Sequence, residues 1–196
     1  MKLFIFDCGE VILKNVDTFK ALADYIGIEH SELLSDYSKY EMALMDGYMS
    51  PDDYYRHLEM KYAVVIDSDP FAAFFHPEVD FSMLSYVEKL RANGYRCVVG
   101  SNTFRPHWEI IKKLDGNPLG FFDALYPSHE IHVSKPEKAF FRYICSEEGV
   151  QCDEAVLIDD RKENTDSAAS LGLSVLEYSG YGKEGRAEAF FSSYMK

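Results

Sequence analysis

The stretch LFIFDCGEVIL, residues 3–13, is apolar at both ends and is interrupted in its middle by Asp7, Cys8, Gly9 and Glu10. Its first half has the aromatic and β-branched content of a strand buried on both faces of a parallel sheet. An acid at the end of such a run is costly to bury without a partner. Ligands of open parallel sheets bind just beyond the carboxyl ends of the strands, so Asp7 is a candidate functional residue.

Similar apolar runs recur along the chain and alternate with helical patterns. Further strands are predicted at residues 95–101, 121–128, 154–160 and 173–178, and helices at 81–93, 106–114, 136–149, 163–171 and 184–194. This alternation is typical of strands that pair in parallel with helices on both faces. The predicted fold class is α/β, with a Rossmann-like doubly wound parallel sheet.

The segment that follows the first strand breaks this alternation. Helices are predicted at residues 17–26, 31–45 and 51–62, with a further helical turn near Phe71. Ser50 followed by Pro51 is a strong helix start. So much helix directly after a strand indicates an inserted small all-helical domain. We therefore predict a helical domain at residues 16–76, inserted into an α/β core domain formed by residues 1–15 and 77–196.

Composition and charge narrow the class of protein and its partners. The 196 residues carry a formal net charge of −13, which disfavours nucleic acid and anionic membranes as partners. No apolar run approaches the roughly 18 residues of a membrane helix. The amino terminus lacks the pattern of a signal peptide, and the four cysteines lack metal-binding spacing, so reduced thiols and a cytoplasmic location are expected. The composition says nothing about the oligomeric state.

Polar side chains follow the predicted strands at the point where each strand ends. Asp7 follows the first strand, Ser101 and Asn102 end the second, and Asp159 with Asp160 ends the fourth. Lys135 lies in the connection before the helix at 136–149. Each residue alone has an ordinary explanation as a helix cap, a turn or a surface lysine. Their joint placement at one edge of a sheet predicts a functional site.

The residue types indicate phosphoryl chemistry. Clustered carboxylates repel one another unless a cation neutralises them, and hard oxygen ligands favour Mg²⁺. Lys135, Ser101 and Asn102 are the predicted phosphate-binding residues. Asp7 is the predicted nucleophile, which would form an aspartyl-phosphate.

Several of the same residues are predicted to hold the metal. Asp7 and Asp160 are the expected direct ligands, Asp159 is expected to act through water, and Asn164 is expected to orient the group from the first turn of the next helix.

The motifs FDCGEV, VVGSNT, SKPE and LIDDRKEN, in this order, resemble those of the haloacid dehalogenase (HAD) superfamily of hydrolases. Asp7 matches the nucleophile of that family, Ser101 the hydroxyl motif and Lys135 the lysine motif. The acid pair at 159–160 matches the fourth motif, and the helical insertion matches a small α-helical cap. The resemblance covers essentially the whole chain and is closest to glucose-1-phosphatase-like enzymes and to the amino-terminal phosphatases of epoxide hydrolases. It implies a Mg²⁺-dependent phosphatase of a small phosphorylated metabolite, with sugar phosphates among the candidates.

The chain departs from the family pattern at Gly9. Most phosphatases of the superfamily have a second aspartate there, which acts as the general acid for the leaving group. The backbone carbonyl of Gly9 can still bind Mg²⁺, but no side chain donates a proton. General acid catalysis contributes about 10² to 10⁴ in rate, so we expect a slow enzyme or one that prefers good leaving groups or sugar 1-phosphates. Glu10, one residue further on, is not assigned this role.

Two alternatives to a phosphatase stay open. A 2-haloacid dehalogenase would share the aspartate nucleophile, but two adjacent acids at 159–160 are poorly suited to a reaction without metal. A catalytically weakened phosphate-binding protein would explain Gly9, but Asp7, Lys135 and Asp160 have no common structural purpose. A receiver domain is disfavoured by the order of the motifs.

Outside the four motifs, the specificity residues are harder to predict. Tyr40, Met45 and Tyr48 are named as candidate substrate contacts of the helical cap. Core or surface positions are expected for His107 and Trp108, and Cys8 is expected to fill a tight loop. His129 and His132 are not expected to bind metal, because Mg²⁺ prefers oxygen ligands.

Overall fold

A computed structural model describes residues 2–178 and 184–195 of the chain. Seven strands occur in these ranges: β1 (Leu3–Phe6), β2 (Leu13–Lys14), β3 (Glu78–Val79), β4 (Arg96–Ser101), β5 (Ala124–Pro127), β6 (Ala155–Asp159) and β7 (Ser174–Glu177). Five of them form a parallel sheet in the order β5-β4-β1-β6-β7. Strands β4 and β5 are added on one side of β1, and strands β6 and β7 on the other. The carboxyl ends of β4, β1 and β6 therefore lie side by side at the centre of the sheet. The predicted α/β fold with a doubly wound parallel sheet is confirmed.

Eleven α-helices occur in the same part of the chain: α1 (Phe19–Ile26), α2 (His30–Tyr37), α3 (Glu41–Met45), α4 (Pro51–Tyr62), α5 (Pro70–Ala73), α6 (Phe81–Ala92), α7 (Arg105–Ile111), α8 (Ser128–Ile131), α9 (Lys138–Glu147), α10 (Lys162–Ala169) and α11 (Glu184–Ser192). Strands β2 and β3 pair antiparallel on either side of α1–α5. None of the helices at residues 2–178 and 184–195 is both long and apolar enough to cross a membrane.

The alternation of side chains along β1 divides the core between the two faces of the sheet. Phe4 and Phe6 contribute to one apolar cluster, together with residues of α6, α7 and α11. Leu3 and Ile5 contribute to a second cluster, together with residues of α9 and α10. All four side chains are essentially inaccessible to solvent, which explains why the first strand is apolar on both faces.

Helices α1–α5 surround an apolar cluster of their own. Tyr54, Leu58 and Phe71 are among its fully buried members. Within this segment the buried carboxylate of Asp36 accepts hydrogen bonds from Lys61 and, at 2.9 Å, from Nε2 of His57. The domain boundaries at residues 15/16 and 76/77 stay a prediction.

The prediction of one helix over residues 31–45 was wrong, because the chain turns between α2 and α3. The turn allows two aromatic side chains to pack in different places. Tyr37 packs against Phe19, with ring centroids 4.3 Å apart, whereas Tyr40 packs against His57 at 4.6 Å.

Candidate active site

Asp7 lies at the centre of the carboxyl edge of the sheet. Its backbone N–H donates to the carbonyl of Ile158 at 2.8 Å, so β1 stays paired with β6 up to this residue. Its carboxylate accepts the backbone N–H of Cys8 at 2.6 Å and is largely buried. The loop then turns at Glu10, whose φ of 54° is in the left-handed region. This turn folds the chain back under Asp7 before β2 begins.

Lys135 joins two of the predicted acids. Its ammonium Nζ lies 2.9 Å from Oδ1 of Asp7 and 2.7 Å from Oδ2 of Asp159, and the side chain is fully buried. The amide of Asn102 holds the backbone of this lysine from both sides: Oδ1 accepts from Lys135 N at 2.8 Å, and Nδ2 donates to Lys135 O at 2.7 Å. Asn102 therefore positions Lys135, and its predicted substrate contact stays a prediction.

Asp159 is held by α10 as well as by the lysine. Its Oδ1 accepts the backbone N–H of Arg161 at 3.0 Å and Nδ2 of Asn164 at 2.9 Å. The predicted orienting contact of Asn164 is therefore present, and it is made to Asp159. The amide oxygen of Asn164, Oδ1, is buried and has no hydrogen-bond partner among the described residues.

Three carboxylates meet at this point of the sheet edge. Asp7, Asp159 and Asp160 each offer an oxygen, and these oxygens lie within 4.8 Å of one another. Oxygen donors in such a cluster suit a hard divalent cation. Because Asp159 is engaged by Lys135 and α10, Asp160 is the freer of the two adjacent acids to contact a cation directly.

Burial and mutual repulsion perturb the ionisation of these groups. Burial raises the pKa of Asp7 to about 7; the Lys135 ammonium opposes this rise, and the charges of Asp159 and Asp160 add to it. Burial, followed by repulsion from Asp159, also raises the pKa of Asp160. Burial alone would lower the pKa of Lys135, but Asp159 and Asp7 hold it above its ordinary value. One lysine thus leaves the cluster with excess negative charge, which a bound cation would neutralise.

Two cavities lie side by side at this edge of the sheet, and Asp7 lines one of them. The first, here called the acidic cavity, has a volume of about 150 Å³ and is lined by Asp7, Glu10, Asp160, Arg161 and Asn164. The second, here called the apolar cavity, also has a volume of about 150 Å³ and includes Ser101 in its wall. Four residues line both cavities: Gly9, Val16, Met45 and Asn102.

The helical segment closes over this edge of the sheet through α3 and the turn that follows it. Oγ of Ser128 lies 2.5 Å from the carbonyl oxygen of Met45, and Nδ1 of His132 lies 2.9 Å from the carbonyl oxygen of Asp46. At Gly47 the two backbones are so close that a Cβ would lie 2.6 Å from the carbonyl oxygen of His129. His132 therefore holds the helical segment, whereas Nδ1 of His129 lies 3.1 Å from the carbonyl oxygen of Thr103. Neither histidine belongs to the acid cluster.

Of the three residues named as candidate substrate contacts in the helical segment, one lines the cavities. Met45 lines both cavities. Tyr40 packs on His57 and Tyr54 inside the helical segment, and Tyr48 is largely exposed and stacks on His132. Neither Tyr40 nor Tyr48 lines the two cavities, and their substrate contacts stay a prediction.

Other cavity residues were assigned differently, or not at all, from the sequence. Trp108 is in the core as expected, but His107 lines the apolar cavity. Thr18 and Arg161 also line the two cavities and were missed. Arg161 directly follows the acid pair, which could have identified it, whereas nothing in the local pattern marks Thr18.

Comparisons with known proteins identify the family of the chain. The model of the haloacid dehalogenase-like hydrolases matches residues 1–172. The drimenol cyclase drtB of Aspergillus calidoustus is 29% identical over 151 residues, which are 74% of this chain and 27% of that protein. The chain thus spans about a quarter of the length of this relative.

Solved structures share the fold along nearly the whole chain. A predicted HAD-like family hydrolase from Porphyromonas gingivalis superposes with a TM-score of 0.80 at 20% identity, covering 97% of each chain. The HAD family enzyme BT-2542 from Bacteroides thetaiotaomicron, in complex with magnesium and inorganic phosphate, superposes with a TM-score of 0.71 at 22% identity, covering 92% of this chain and 96% of that one. A dehalogenase superposes with a TM-score of 0.67 at 16% identity, covering 93% and 86%. With a family model matching most of its length, the chain belongs to the haloacid dehalogenase-like hydrolases.

Proposed function

We propose that this hydrolase is a Mg²⁺-dependent phosphatase that hydrolyses a small phosphorylated metabolite through an aspartyl-phosphate on Asp7. The observation that carries the proposal is the position of the Asp7 carboxylate. It faces a cavity, 2.9 Å from a buried lysine and beside two further acids. The fold shared with BT-2542, which binds magnesium and inorganic phosphate, supports the same reading.

The residues at this edge fit a magnesium ion. Asp7, Asp160 and the backbone carbonyl of Gly9 are the proposed direct ligands, with Asp159 acting through water. The unpartnered Oδ1 of Asn164 offers a further oxygen toward the cluster. A bound Mg²⁺ would lower the pKa of Asp7 and neutralise charge on the phosphoryl group.

The hydrolysis has two steps. In the first, an oxygen of the Asp7 carboxylate attacks phosphorus; the bond from phosphorus to the ester oxygen breaks, and the leaving alcohol takes a proton that comes from water. In the second, water attacks phosphorus, and the bond to Asp7 breaks to restore the carboxylate. One water is consumed, and one alcohol and one inorganic phosphate are released. Ser101 and Lys135 hold the phosphoryl oxygens in both steps.

The helical segment is proposed to act as the cap of the site. Its backbone contacts with Ser128 and His132 hold Met45 over the two cavities. Closure of such a segment excludes bulk water while the aspartyl-phosphate forms.

The proposal is tested by phosphate release from para-nitrophenyl phosphate in the presence of Mg²⁺. We expect turnover that is lost in Asp7→Asn and after chelation with EDTA. Asp166→Asn is the matched control, since this exposed acid of α10 pairs with Lys162 on the surface. Phosphate binding without turnover of any phosphate ester would instead favour the binding protein, and metal-independent halide release from 2-chloropropionate would favour the dehalogenase.

A further inference from the structure

We propose that the apolar cavity receives the leaving group, and that the substrate is the phosphate monoester of a compact, uncharged and mainly apolar alcohol. The alcohol would have about six heavy atoms, since an apolar cavity of about 150 Å³ is known to hold benzene. This inference rests on the proposed phosphatase function and names the class of its substrate. It favours such an alcohol over a sugar.

The position of the apolar cavity links it to the reacting group. Gly9, Val16, Met45 and Asn102 line it together with the acidic cavity, which contains the Asp7 carboxylate. Ser101, the proposed phosphate-binding hydroxyl, lines the apolar cavity itself. A phosphoryl group between Asp7 and Ser101 would therefore have the apolar cavity beside it, in the place available to the group that leaves.

The walls of this cavity select against charge. Among the described residues that line it, none is a lysine, arginine, aspartate or glutamate. His107 is neutral at physiological pH, because burial lowers its pKa to about 4. Its Nε2 donates to the carbonyl oxygen of Phe71 at 3.0 Å. A charged leaving group would have no counter-ion here, and its desolvation would be costly.

The walls are also mainly apolar. Seven of the lining residues have large apolar side chains: Leu13, Val16, Phe19, Met45, Phe75, Phe104 and Ile111. A hexose is roughly twice the size of benzene, and its many hydroxyls would need partners that these side chains cannot supply.

Thr18 adds one polar contact to this apolar wall. The side chain is buried, and Oγ1 has no hydrogen-bond partner within the described part of the chain. Although Thr18 precedes α1, its hydroxyl does not cap that helix. Buried hydroxyls in proteins are usually paired, so this one points to a ligand that carries one hydroxyl or carbonyl group.

The experiment measures the binding of alkylphosphonates, which cannot be hydrolysed, by calorimetry in the presence of Mg²⁺. From methyl- to butylphosphonate we expect affinity to rise about fourfold per methylene, as burial of apolar carbon predicts. In longer alkylphosphonates the affinity should level off at about six carbons, where the cavity is filled. Equal affinity for methyl- and butylphosphonate, or tighter binding of a sugar phosphonate of any kind, would overturn the proposal. If no phosphonate binds at all, including methylphosphonate, the proposed phosphatase function itself fails.

Variants of the cavity wall make the test specific. Ile111→Phe fills the cavity and should weaken butylphosphonate binding by at least about tenfold relative to methylphosphonate. The matched control is Ile110→Phe, because Ile110 lines a surface cleft outside the apolar cavity and should leave the series unchanged. Thr18→Val should weaken the binding of monohydroxylated butylphosphonates by roughly three- to tenfold while butylphosphonate still binds. Unchanged binding of butylphosphonate in a folded Ile111→Phe would contradict the assignment. If Ile111→Phe folds poorly, unchanged binding of the monohydroxylated butylphosphonates in Thr18→Val contradicts it instead, since this substitution preserves the shape of the side chain.

Discussion

Replacing Lys135 by methionine removes the cation that neutralises the acid cluster while keeping the length of the side chain. Lys135 is fully buried and lies within 3 Å of carboxylate oxygens of Asp7 and Asp159. Removing one partner of a buried ion pair costs about 3–5 kcal/mol, because the other charge stays buried without compensation. Typical domains have about 5–15 kcal/mol of stability, so Lys135→Met should remain folded but lose a large share of it.

The loss of stability in Lys135→Met should depend on pH and on bound metal. The pKa of Asp7 is raised by burial from 3.8 to about 7, so the folded protein binds more protons than the unfolded one between these values. In EDTA the wild-type protein should therefore lose stability as pH rises from 3.8 to about 7 and level off above that pH. Without the Lys135 charge the pKa of Asp7 rises further, so the variant should continue to lose stability above pH 7. Added Mg²⁺ should reduce the difference in the free energy of unfolding between Lys135→Met and wild type.

Urea unfolding followed by circular dichroism, at pH 5 to 9 with EDTA or Mg²⁺, measures these effects. Lys162→Met is the matched control, since that lysine is exposed and pairs with Asp166 on the surface of α10. It should change the free energy of unfolding by less than about 0.5 kcal/mol. If Lys135→Met lies within about 1 kcal/mol of wild type at pH 8 in EDTA, Lys135 does not neutralise the cluster and the reasoning fails.

Three further predictions concern the missing acid and the helical segment. Gly9→Asp should raise the ratio of kcat for an alkyl phosphate to kcat for para-nitrophenyl phosphate by about 10²-fold or more, because it restores a general acid for the poor leaving group. An unchanged ratio would show that the acid comes from elsewhere. A Cβ at Gly9 would meet only Val16, at 3.4 Å. Ser50→Ala should cost about 1 kcal/mol in thermal unfolding, since Ser50 Oγ caps α4 by accepting Asp53 N at 3.1 Å. Asp36→Asn should cost about 1.5–3 kcal/mol at pH 7 and little at pH 2. Burial would raise the pKa of Asp36, but hydrogen bonds from lysine and histidine lower it, so its contribution is lost as pH falls below the ordinary range. An equal cost at both pH values would contradict this.

The fold could be predicted largely because each sheet strand is a short apolar run that ends in a polar residue. The predicted strand at 154–160 and the observed β6 (Ala155–Asp159) differ by one residue at each end. Helix α4 was predicted with its observed ends, since Ser50 and Pro51 form a local capping signal that does not depend on tertiary contacts. The break between α2 and α3 has no such signal. The residues on either side of it, Tyr37 and Tyr40, pack against rings distant in sequence.

The acid cluster could be predicted for a related reason: residues at the ends of neighbouring parallel strands must lie close together. The hydrogen-bond partner of each side chain could not be predicted. Asn102 was named for substrate, yet its amide holds the backbone of Lys135, and this contact depends on how two loops meet. Thr18 and His107 line the apolar cavity only because the helical segment closes over the sheet edge. Side-chain orientation of that kind depends on tertiary structure rather than on local pattern.

The closure contacts of the helical segment have a consequence for how specificity can change. Ser128 and His132 bond to the carbonyl oxygens of Met45 and Asp46, and every amino acid presents such an oxygen. A substitution at position 45 can therefore reshape both cavities while the same main-chain bonds hold the segment in place. Gly47 is the exception, since any side chain there would collide with the backbone at His129. Selection for a new substrate, in nature or in the laboratory, should therefore accept substitutions at position 45 and reject them at position 47.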